Sequence, residues 1–312
     1  GPTFMSLRVI STGLQTTIQD LGRHGSAHLG ISGSGAADPF SLRSGNLLVG
    51  NPEGEAGLEM TLTGGEYQFE QDTIISLTGS YFLAELDGNV LPFHERVHIT
   101  KGQIINIGPS QDGARCYLTV QGGFDIEPVL GSRSTHLMTG MGGFRGRALK
   151  KGDMIHFCVP SQDSAQKIID NDLKIDRSIL RITRGIQHDW FDQRVWDILQ
   201  NNRFKVSHIF DRMGIRVEGE TIKTSKNDQV LTEGIPVGAV QIPPNGEPII
   251  SFVDHQTTGG YPKIANVITA DLCKLGQLRH QDEFRFDLVS MEEAETLRLD
   301  QESYFNGIRS SE

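Results

Sequence analysis

Short runs of β-branched and aromatic residues, separated by glycine, recur along the whole chain. Such runs are typical of β-strands joined by tight turns. Helical periodicity is confined to three segments: 40–49 after an Asp38-Pro39 cap, 188–201, and 291–305. Because the strands do not alternate with helices, we expect a mainly β protein with a few helices rather than βαβ units. The predicted strands are Leu7–Ser11, Glu66–Phe69, Thr73–Leu77, Tyr81–Leu86, Cys116–Val120, Leu180–Thr183, Ile215–Glu218, Pro248–Val253 and Glu283–Val289.

A polar stretch at 161–177, SQDSAQKIIDNDLKIDR, separates two strand-rich halves. It predicts an N-terminal β lobe at 5–160 and a C-terminal β lobe with a terminal helix at 178–306. We expect two β-barrel-like lobes, because short glycine-punctuated strands with few helices favour closed sheets.

Charge and composition exclude several classes of partner. The net charge is −10 and no Lys/Arg cluster reaches five residues, so we expect neither nucleic acid nor a membrane as a partner. Cys116, Cys158 and Cys273 are too widely spaced for a CxxC pair and suit a reducing compartment. With no apolar run of about 20 residues and no signal-peptide pattern, we expect a cytoplasmic protein.

Two motifs resemble cofactor sites without the context that those sites need. His94-Glu95-Arg96-Val97-His98 matches the zincin pattern, but Pro92 precedes it and the flanking residues alternate as in a strand, so we predict no metal site. The stretch from Gly33 to Asp38 lacks the third glycine of a dinucleotide fingerprint. It precedes a helix N-terminus, which is either a capped turn or an anion site. The sequence contains no GxxxxGK[ST] loop for ATP.

Three polar, glycine-bearing stretches are the candidate site. They are TTIQDLGRHG at 16–25, DRMGIR at 211–216, and DHQTTGGYP at 254–262, which follows a strongly apolar strand. Gln256 can donate and accept hydrogen bonds at once, which suits an amide substrate. Arg23 or Arg212 could bind a carboxylate or phosphate. Each stretch also has a structural interpretation, in which the glycines form turns, Asp20 pairs with Arg23, and Tyr261 belongs to the core.

The same stretches carry a resemblance to a known family. Together with SGAADPF and GIPVGAVQIPPNGEPIISFVDHQTTGGYPKIA, they resemble the signature blocks of the allophanate hydrolase subunit 2, or carboxyltransferase A–B, family. The resemblance covers about Leu7 to Phe305. It implies a two-part β architecture with a cyclophilin-like barrel.

The resemblance also implies a function. The chain would be one component of an ATP-dependent 5-oxoprolinase, which hydrolyses the cyclic amide 5-oxo-L-proline to L-glutamate. It would work with a B-type subunit, similar to allophanate hydrolase subunit 1, and with an A-type subunit. ATP would be consumed by the complex, and the component that binds it stays open. Because this chain alone contains no complete catalytic set, we expect it to be inactive without its partners.

The site residues follow from matching these blocks to the chain. As catalytic residues that orient a proton or water we name Asp20, Asp38 and Tyr261. The predicted substrate-binding residues are Arg23, His24, Arg212, Met213, Gln256, Thr257, Thr258, Gly259 and Gly260. Two alternatives stay open: a carboxyltransferase subunit of a biotin-dependent urea or amide carboxylase, and a non-catalytic regulatory module that antagonises a kinase inhibitor.

Overall fold

The computed structural model describes residues 5–160, 175–208, 211–226, 230 and 232–309. These residues form two compact units. Unit 1 comprises the described residues of Gly1–Arg23, Ser34–Leu173 and Tyr304–Glu312, and unit 2 those of His24–Gly33 and Lys174–Ser303. The polar stretch predicted to separate the lobes lies outside the described residues except for 175–177.

Unit 1 consists of two antiparallel sheets and one helix. Its elements are β1 (Met5–Thr12), β2 (Gln15–Gln19), α1 (Pro39–Leu48), β3 (Gly57–Thr61), β4 (Thr63–Phe69), β5 (Thr73–Gly79), β6 (Phe82–Leu86), β7 (Asn89–Val90), β8 (Val97–Ile99), β9 (Ile104–Ser110), β10 (Arg115–Val120) and β11 (Met154–Phe157). The strand orders are β11-β1-β4-β9-β6-β7 and β2-β3-β10-β5-β8. One apolar core contains side chains of both sheets, among them Leu7, Tyr67, Phe69, Leu77 and Leu118, all fully buried.

Helix α1 begins where the sequence predicted. The Asp38 carboxylate accepts a hydrogen bond from the backbone N–H of Ser41 at 3.0 Å, and Pro39 occupies the first turn. Proline is favoured there because the first N–H groups of a helix have no partner within the helix. The start of α1 predicted from the Asp38-Pro39 pair is therefore confirmed.

Unit 2 contains a closed barrel and a two-stranded ribbon. Its elements are β12 (Ile179–Arg184), α2 (Gln193–Asn201), β13 (Phe204–His208), β14 (Gly214–Glu218), β15 (Glu233–Gly234), β16 (Ala239–Gln241), β17 (Ile249–Ser251), β18 (Thr258–Gly259), β19 (Lys263–Val267), α3 (Leu272–Leu275), β20 (Glu283–Leu288) and the part of α4 (Met291–Arg309) that precedes Tyr304. The barrel order is β12-β19-β16-β17-β14-β13-β20, and β15 pairs with β18. The predicted mainly β fold with a barrel is confirmed.

Aromatic side chains fill the barrel. Phe204, Phe284 and Phe286 are at most 1% exposed, and their ring centroids lie 5.2–6.4 Å apart. Aromatic pairs at such distances add to the stability gained by burial. The barrel interior is thus packed, and a ligand site must be built elsewhere on its wall.

The helix predicted from residue 188 begins later. Residues His188–Trp190 form a single 3-10 turn, and α2 starts at Gln193 because the Asp192 carboxylate accepts a hydrogen bond from the N–H of Val195. A side-chain cap of this kind defines a helix start more sharply than hydrophobic periodicity does. Within the described residues, no helix is both long and apolar enough to cross a membrane.

Candidate functional site

A cleft of about 1030 Å³ lies in unit 2, on the outer face of the barrel. Ile215 and Val217 of β14 point into the packed interior. Gly214, Arg216 and Glu218, which alternate with them along the strand, line the cleft. Because successive side chains of a strand face opposite sides, the core residues and the cleft residues are fixed by the same register.

The 254–262 segment forms another part of the cleft wall. It leaves the barrel at the end of β17, and its residues Thr258 and Gly259 pair with Glu233 and Gly234 to make the ribbon. Gln256, Gly259, Gly260 and Tyr261 line the cleft. Together with Met213, which also lines the cleft, five of the predicted residues are therefore brought together on one surface.

Three of these cleft residues leave polar atoms accessible. The side chains of Gln256 and Tyr261 and the backbone of Gly260 are exposed, with Tyr261 44% exposed. An amide, a phenol and a glycine backbone on one wall can donate and accept hydrogen bonds. Thr257 and Thr258 belong to the ribbon side of the segment, and the Thr257 carbonyl accepts a bond from the N–H of Ile235 at 3.0 Å.

A buried ion pair supports the cleft from behind. The Arg212 and Asp254 side chains are 0% and 1% exposed, and Arg212 Nε donates to Asp254 Oδ2 at 3.0 Å. The N–H of Asp254 also donates to the Arg212 carbonyl at 2.8 Å. Met213 and Gln256, close to this pair in the chain, both line the cleft. Arg212 thus holds the loop that carries Met213 against the segment that carries Gln256.

Arg216 is the arginine of the DRMGIR block that faces the cleft. It is exposed and lies on β14, whereas Arg212 is fully buried. The sequence places both guanidinium groups in one short block. Arg212 precedes β14, in the left-handed region at φ +57°, and its pairing with Asp254 buries it, whereas Arg216 lies on the strand and lines the cleft.

A second polar network anchors the ribbon to the barrel. The Glu233 carboxylate accepts hydrogen bonds from Gln187 Nε2 at 2.7 Å and from Lys263 Nζ at 3.1 Å. The bond from Gln187 lowers the pKa of Glu233 below its ordinary value, and Lys263 lowers it further. None of these three residues was predicted for the site, although Lys263 follows directly after the 254–262 segment.

His255 also lines the cleft and was not among the predicted site residues. Its position between Asp254 and Gln256 was the available signal. Its Nδ1 lies 2.6 Å from the Gln256 carbonyl oxygen. Burial lowers the pKa of this imidazole below its ordinary value, while the hydrogen bond to Gln256 and the charge of Asp254 oppose that shift.

Asp20 lies in unit 1, with both carboxylate oxygens engaged. Oδ1 accepts from Ser132 Oγ at 2.6 Å, from Ser134 Oγ at 2.7 Å and from the N–H of Gly22 at 2.9 Å. Oδ2 accepts from the N–H of Arg133 at 2.8 Å. The residue is 7% exposed. This arrangement fixes the 132–134 loop to the end of β2.

Arg23 also binds this loop, through backbone carbonyl oxygens. Its Nε donates to the Val129 carbonyl at 2.9 Å, and its Nη2 donates to the Ser134 carbonyl at 2.6 Å. Gly142, at φ +70°, approaches Nη2 so closely that a Cβ there would clash with it. With only 4% of its surface exposed, Arg23 clamps backbone rather than presenting a fork to solvent.

The other predicted residues divide between the units. Asp38 is 3% exposed and caps α1 in unit 1, whereas His24 is exposed and belongs to unit 2. The HExxH residues of unit 1 are not helical, because His94 has φ +63° and His98 lies on β8. The described residues contain no cluster of three or more His, Cys, Asp or Glu side chains suited to a metal ion.

Comparison with known proteins gives consistent results. The family model for the carboxyltransferase domain, subdomain A and B, matches residues 29–288. The chain is 40% identical over 299 residues to the C-type subunit of 5-oxoprolinase from Escherichia coli strain K12, covering 96% of each chain. It is 38% identical to the Haemophilus influenzae protein of the same name, covering 95% of each chain.

A solved structure shares the fold. The crystal structure of the Kluyveromyces lactis urea carboxylase superposes with a TM-score of 0.91 at 29% identity. The match covers 97% of this chain and 29% of that one. The architecture of both units therefore recurs as one part of a larger enzyme.

Proposed function

The chain belongs to the family of carboxyltransferase domains with subdomains A and B, and we propose that it is one component of a 5-oxoprolinase. The complex would hydrolyse 5-oxo-L-proline to L-glutamate at the expense of ATP. Its other members would be a B-type subunit, similar to allophanate hydrolase subunit 1, and an A-type subunit. Identity of 40% across 96% of each chain to the C-type subunit of a bacterial 5-oxoprolinase supports this proposal.

One observation carries the assignment to a site. The cleft of unit 2 is lined by Gln256, Gly259, Gly260 and Tyr261, which are polar or glycine residues at the end of a buried strand. A lactam presents one carbonyl acceptor and one N–H donor. The Gln256 side-chain amide offers the complementary donor and acceptor, and donors aimed at the carbonyl oxygen stabilise the charge that develops there.

Other residues of the sequence blocks take supporting roles in this proposal, among them Arg216, which was not a predicted site residue. Arg216 binds the substrate carboxylate, because it is the guanidinium that reaches the cleft from the DRMGIR block. Arg212 and Met213 hold the cleft wall. Tyr261 orients a proton or water at its rim. Asp20, Arg23 and Asp38 stabilise unit 1 through the contacts described above. His24 and Thr258 are exposed and Thr257 is partly exposed, and each adds a polar group to the segment in which it lies.

ATP is assigned to the complex and to no residue of this chain. The sequence has no phosphate-binding loop ending in Gly-Lys-Ser/Thr. This chain would contribute amide recognition, while its partners complete the reaction. The free thiols Cys116 and Cys273 are buried and Cys158 is exposed, which is compatible with the cytoplasmic location that we propose.

Reconstitution tests the proposal directly. We expect the purified chain to release no glutamate from 5-oxo-L-proline and ATP, and the co-expressed complex of this chain with its A-type and B-type partners to do so. Omission of this chain should abolish turnover, because the amide-binding wall is then missing. Turnover by this chain alone would refute the shared-site proposal, and a complex that is inactive on 5-oxoproline would refute the substrate.

Replacing Gln256 with alanine tests the cleft itself. Loss of one donor to a developing oxyanion typically costs about 10²–10³ in rate, so we expect kcat of the complex to fall by about two orders of magnitude. Gln193→Ala is the matched control, since the exposed Gln193 side chain on α2 bonds to Asp197, outside the cleft. Unchanged kcat in a correctly assembled Gln256→Ala complex would remove this residue from the site.

The urea carboxylase superposition favours a second candidate function. A biotin-dependent carboxyltransferase would need a biotinylated partner and would act on urea or another open-chain amide. Both substrates share a planar carbonyl–nitrogen group. Assaying the reconstituted complex with urea, bicarbonate and a biotinylated partner separates the two candidates, because a 5-oxoprolinase requires neither bicarbonate nor biotin.

A further inference from the structure

A hydrogen bond on the cleft wall fixes the tautomer of the His255 imidazole. Its Nδ1 lies 2.6 Å from the backbone carbonyl oxygen of Gln256. A carbonyl can only accept a hydrogen bond, so the proton of this contact must be on Nδ1. In a neutral imidazole with Nδ1 protonated, Nε2 carries a lone pair and acts as a hydrogen-bond acceptor.

The surroundings keep this imidazole neutral. Desolvation favours the uncharged form and lowers the pKa of His255 below its ordinary value of 6.5. The hydrogen bond to the Gln256 carbonyl and the charge of Asp254 raise the pKa by smaller amounts, and the Asp254 carboxylate is engaged with Arg212. The titratable and charged side chains that line the same cleft are His208, Asp211, Arg216, Glu218, Glu247 and Tyr261. Both signs of charge are present in this set.

We propose that His255 is the proton acceptor of the cleft, with Nε2 as the basic atom and Nδ1 held by the Gln256 carbonyl. This inference rests on the proposed hydrolysis of a cyclic amide. A water molecule adds to the lactam carbonyl carbon, the new C–O bond forms, and the water proton passes to Nε2. When the ring C–N bond breaks, the same proton returns to the departing nitrogen. This water supplies every atom that the lactam gains, and His255 ends the cycle neutral; the coupled cleavage of ATP to ADP and phosphate in the complex consumes a second water molecule.

The arrangement follows a general requirement of acid–base catalysis. A general base works best when its pKa lies near the working pH and when another group fixes its orientation. The Gln256 carbonyl supplies that orientation, and Gln256 also presents its side-chain amide to the cleft. The base and the amide-binding group therefore stand on consecutive residues, and the hydrogen bond to the backbone couples their positions.

Two variants separate catalysis from support of the loop. In His255→Asn the side-chain amide can still donate to the Gln256 carbonyl but has no basic atom. In His255→Ala both features are lost. His280→Asn is the matched control, because His280 is an exposed histidine of the same unit outside the cleft. General bases typically contribute about 10²–10⁴ in rate, so we expect His255→Asn to lower kcat at least 100-fold in the complex.

The pH profile supplies a readout that a purely structural role would not move. Because the pKa is lowered, the basic form persists to lower pH, and kcat/KM of the wild-type complex should fall only below about pH 6.5. This acid limb should be absent from the residual activity of His255→Asn. Retention of wild-type kcat, or of the same acid limb, in His255→Asn would overturn the inference.

A measurement on the isolated chain distinguishes failure of this inference from failure of the proposed function. Nitrogen-15 NMR of the imidazoles, assigned with His255→Asn, should show the Nδ1–H form for His255 at neutral pH. The Nε2–H form or a charged imidazole there would refute the geometry whatever the substrate. If the Nδ1–H form is found while the wild-type complex is inactive on 5-oxoproline, the proposed reaction fails, and with it the role of His255 in that reaction.

Discussion

Replacing Arg212 with methionine is expected to lower the free energy of unfolding of this chain by about 3–5 kcal/mol. The substitution leaves the Asp254 carboxylate, 1% exposed, without the guanidinium that lies 3.0 Å from it. Removing one partner of a buried pair is costly because the other charge stays desolvated. Urea denaturation of the purified chain measures the change.

Two controls show whether the missing charge partner is responsible. The double substitution Arg212→Met with Asp254→Leu removes both charges and should recover most of the loss, because apolar replacements of a buried pair are often neutral. Arg298→Ala breaks the exposed pair with Glu295 on α4 and should leave the free energy of unfolding nearly unchanged, because water screens exposed ion pairs. An Arg212→Met chain as stable as the wild type would show that the pair contributes nothing to the fold.

The same substitution should change the cleft. The loop carrying Met213 and the segment carrying Gln256 are joined by the Arg212 and Asp254 backbones as well as by their side chains. Loosening that joint displaces groups that bind the substrate. In the complex we therefore expect KM for 5-oxoproline to rise in Arg212→Met.

Replacing Asp20 with alanine is expected to destabilise the chain by at least about 3 kcal/mol, because several buried donors lose their acceptor at once. The change removes the carboxylate that accepts hydrogen bonds from four donors, namely Ser132 Oγ, Ser134 Oγ and the N–H groups of Gly22 and Arg133. Each buried donor left unsatisfied costs about 1–3 kcal/mol, although water entering the space recovers part of it. Thermal or urea unfolding of the purified chain gives the value.

Asp72→Ala is the control for this prediction. The exposed Asp72 carboxylate accepts a hydrogen bond from the N–H of Lys101 at 2.7 Å, and losing an exposed acceptor should cost about 1 kcal/mol or less. Stability also separates the two interpretations of Asp20. A structural residue lowers the unfolding free energy, whereas an Asp20→Ala chain of normal stability in an assembled but inactive complex would show that Asp20 is catalytic.

Local signals in the sequence were sufficient to predict the class of fold, together with nine of the twenty strands and three of the four α-helices found in the described residues. Glycine-punctuated β-branched runs predicted strands such as those at 7–11, 116–120 and 283–289, and the Asp38-Pro39 pair marked the start of α1. These signals are legible because strand period, capping and turn residues act within a few positions. The same local blocks also carried the family resemblance that the comparisons bear out.

The role of each polar residue in those blocks could be read only from the folded chain. Arg212 and Arg216 stand in one hexapeptide, yet one is buried against a carboxylate 42 positions away and the other faces the cleft. Asp20 is satisfied by donors more than 110 residues further along the chain. Burial and pairing at such separations depend on how the sheets close, and the order of residues along the chain does not contain that distance information.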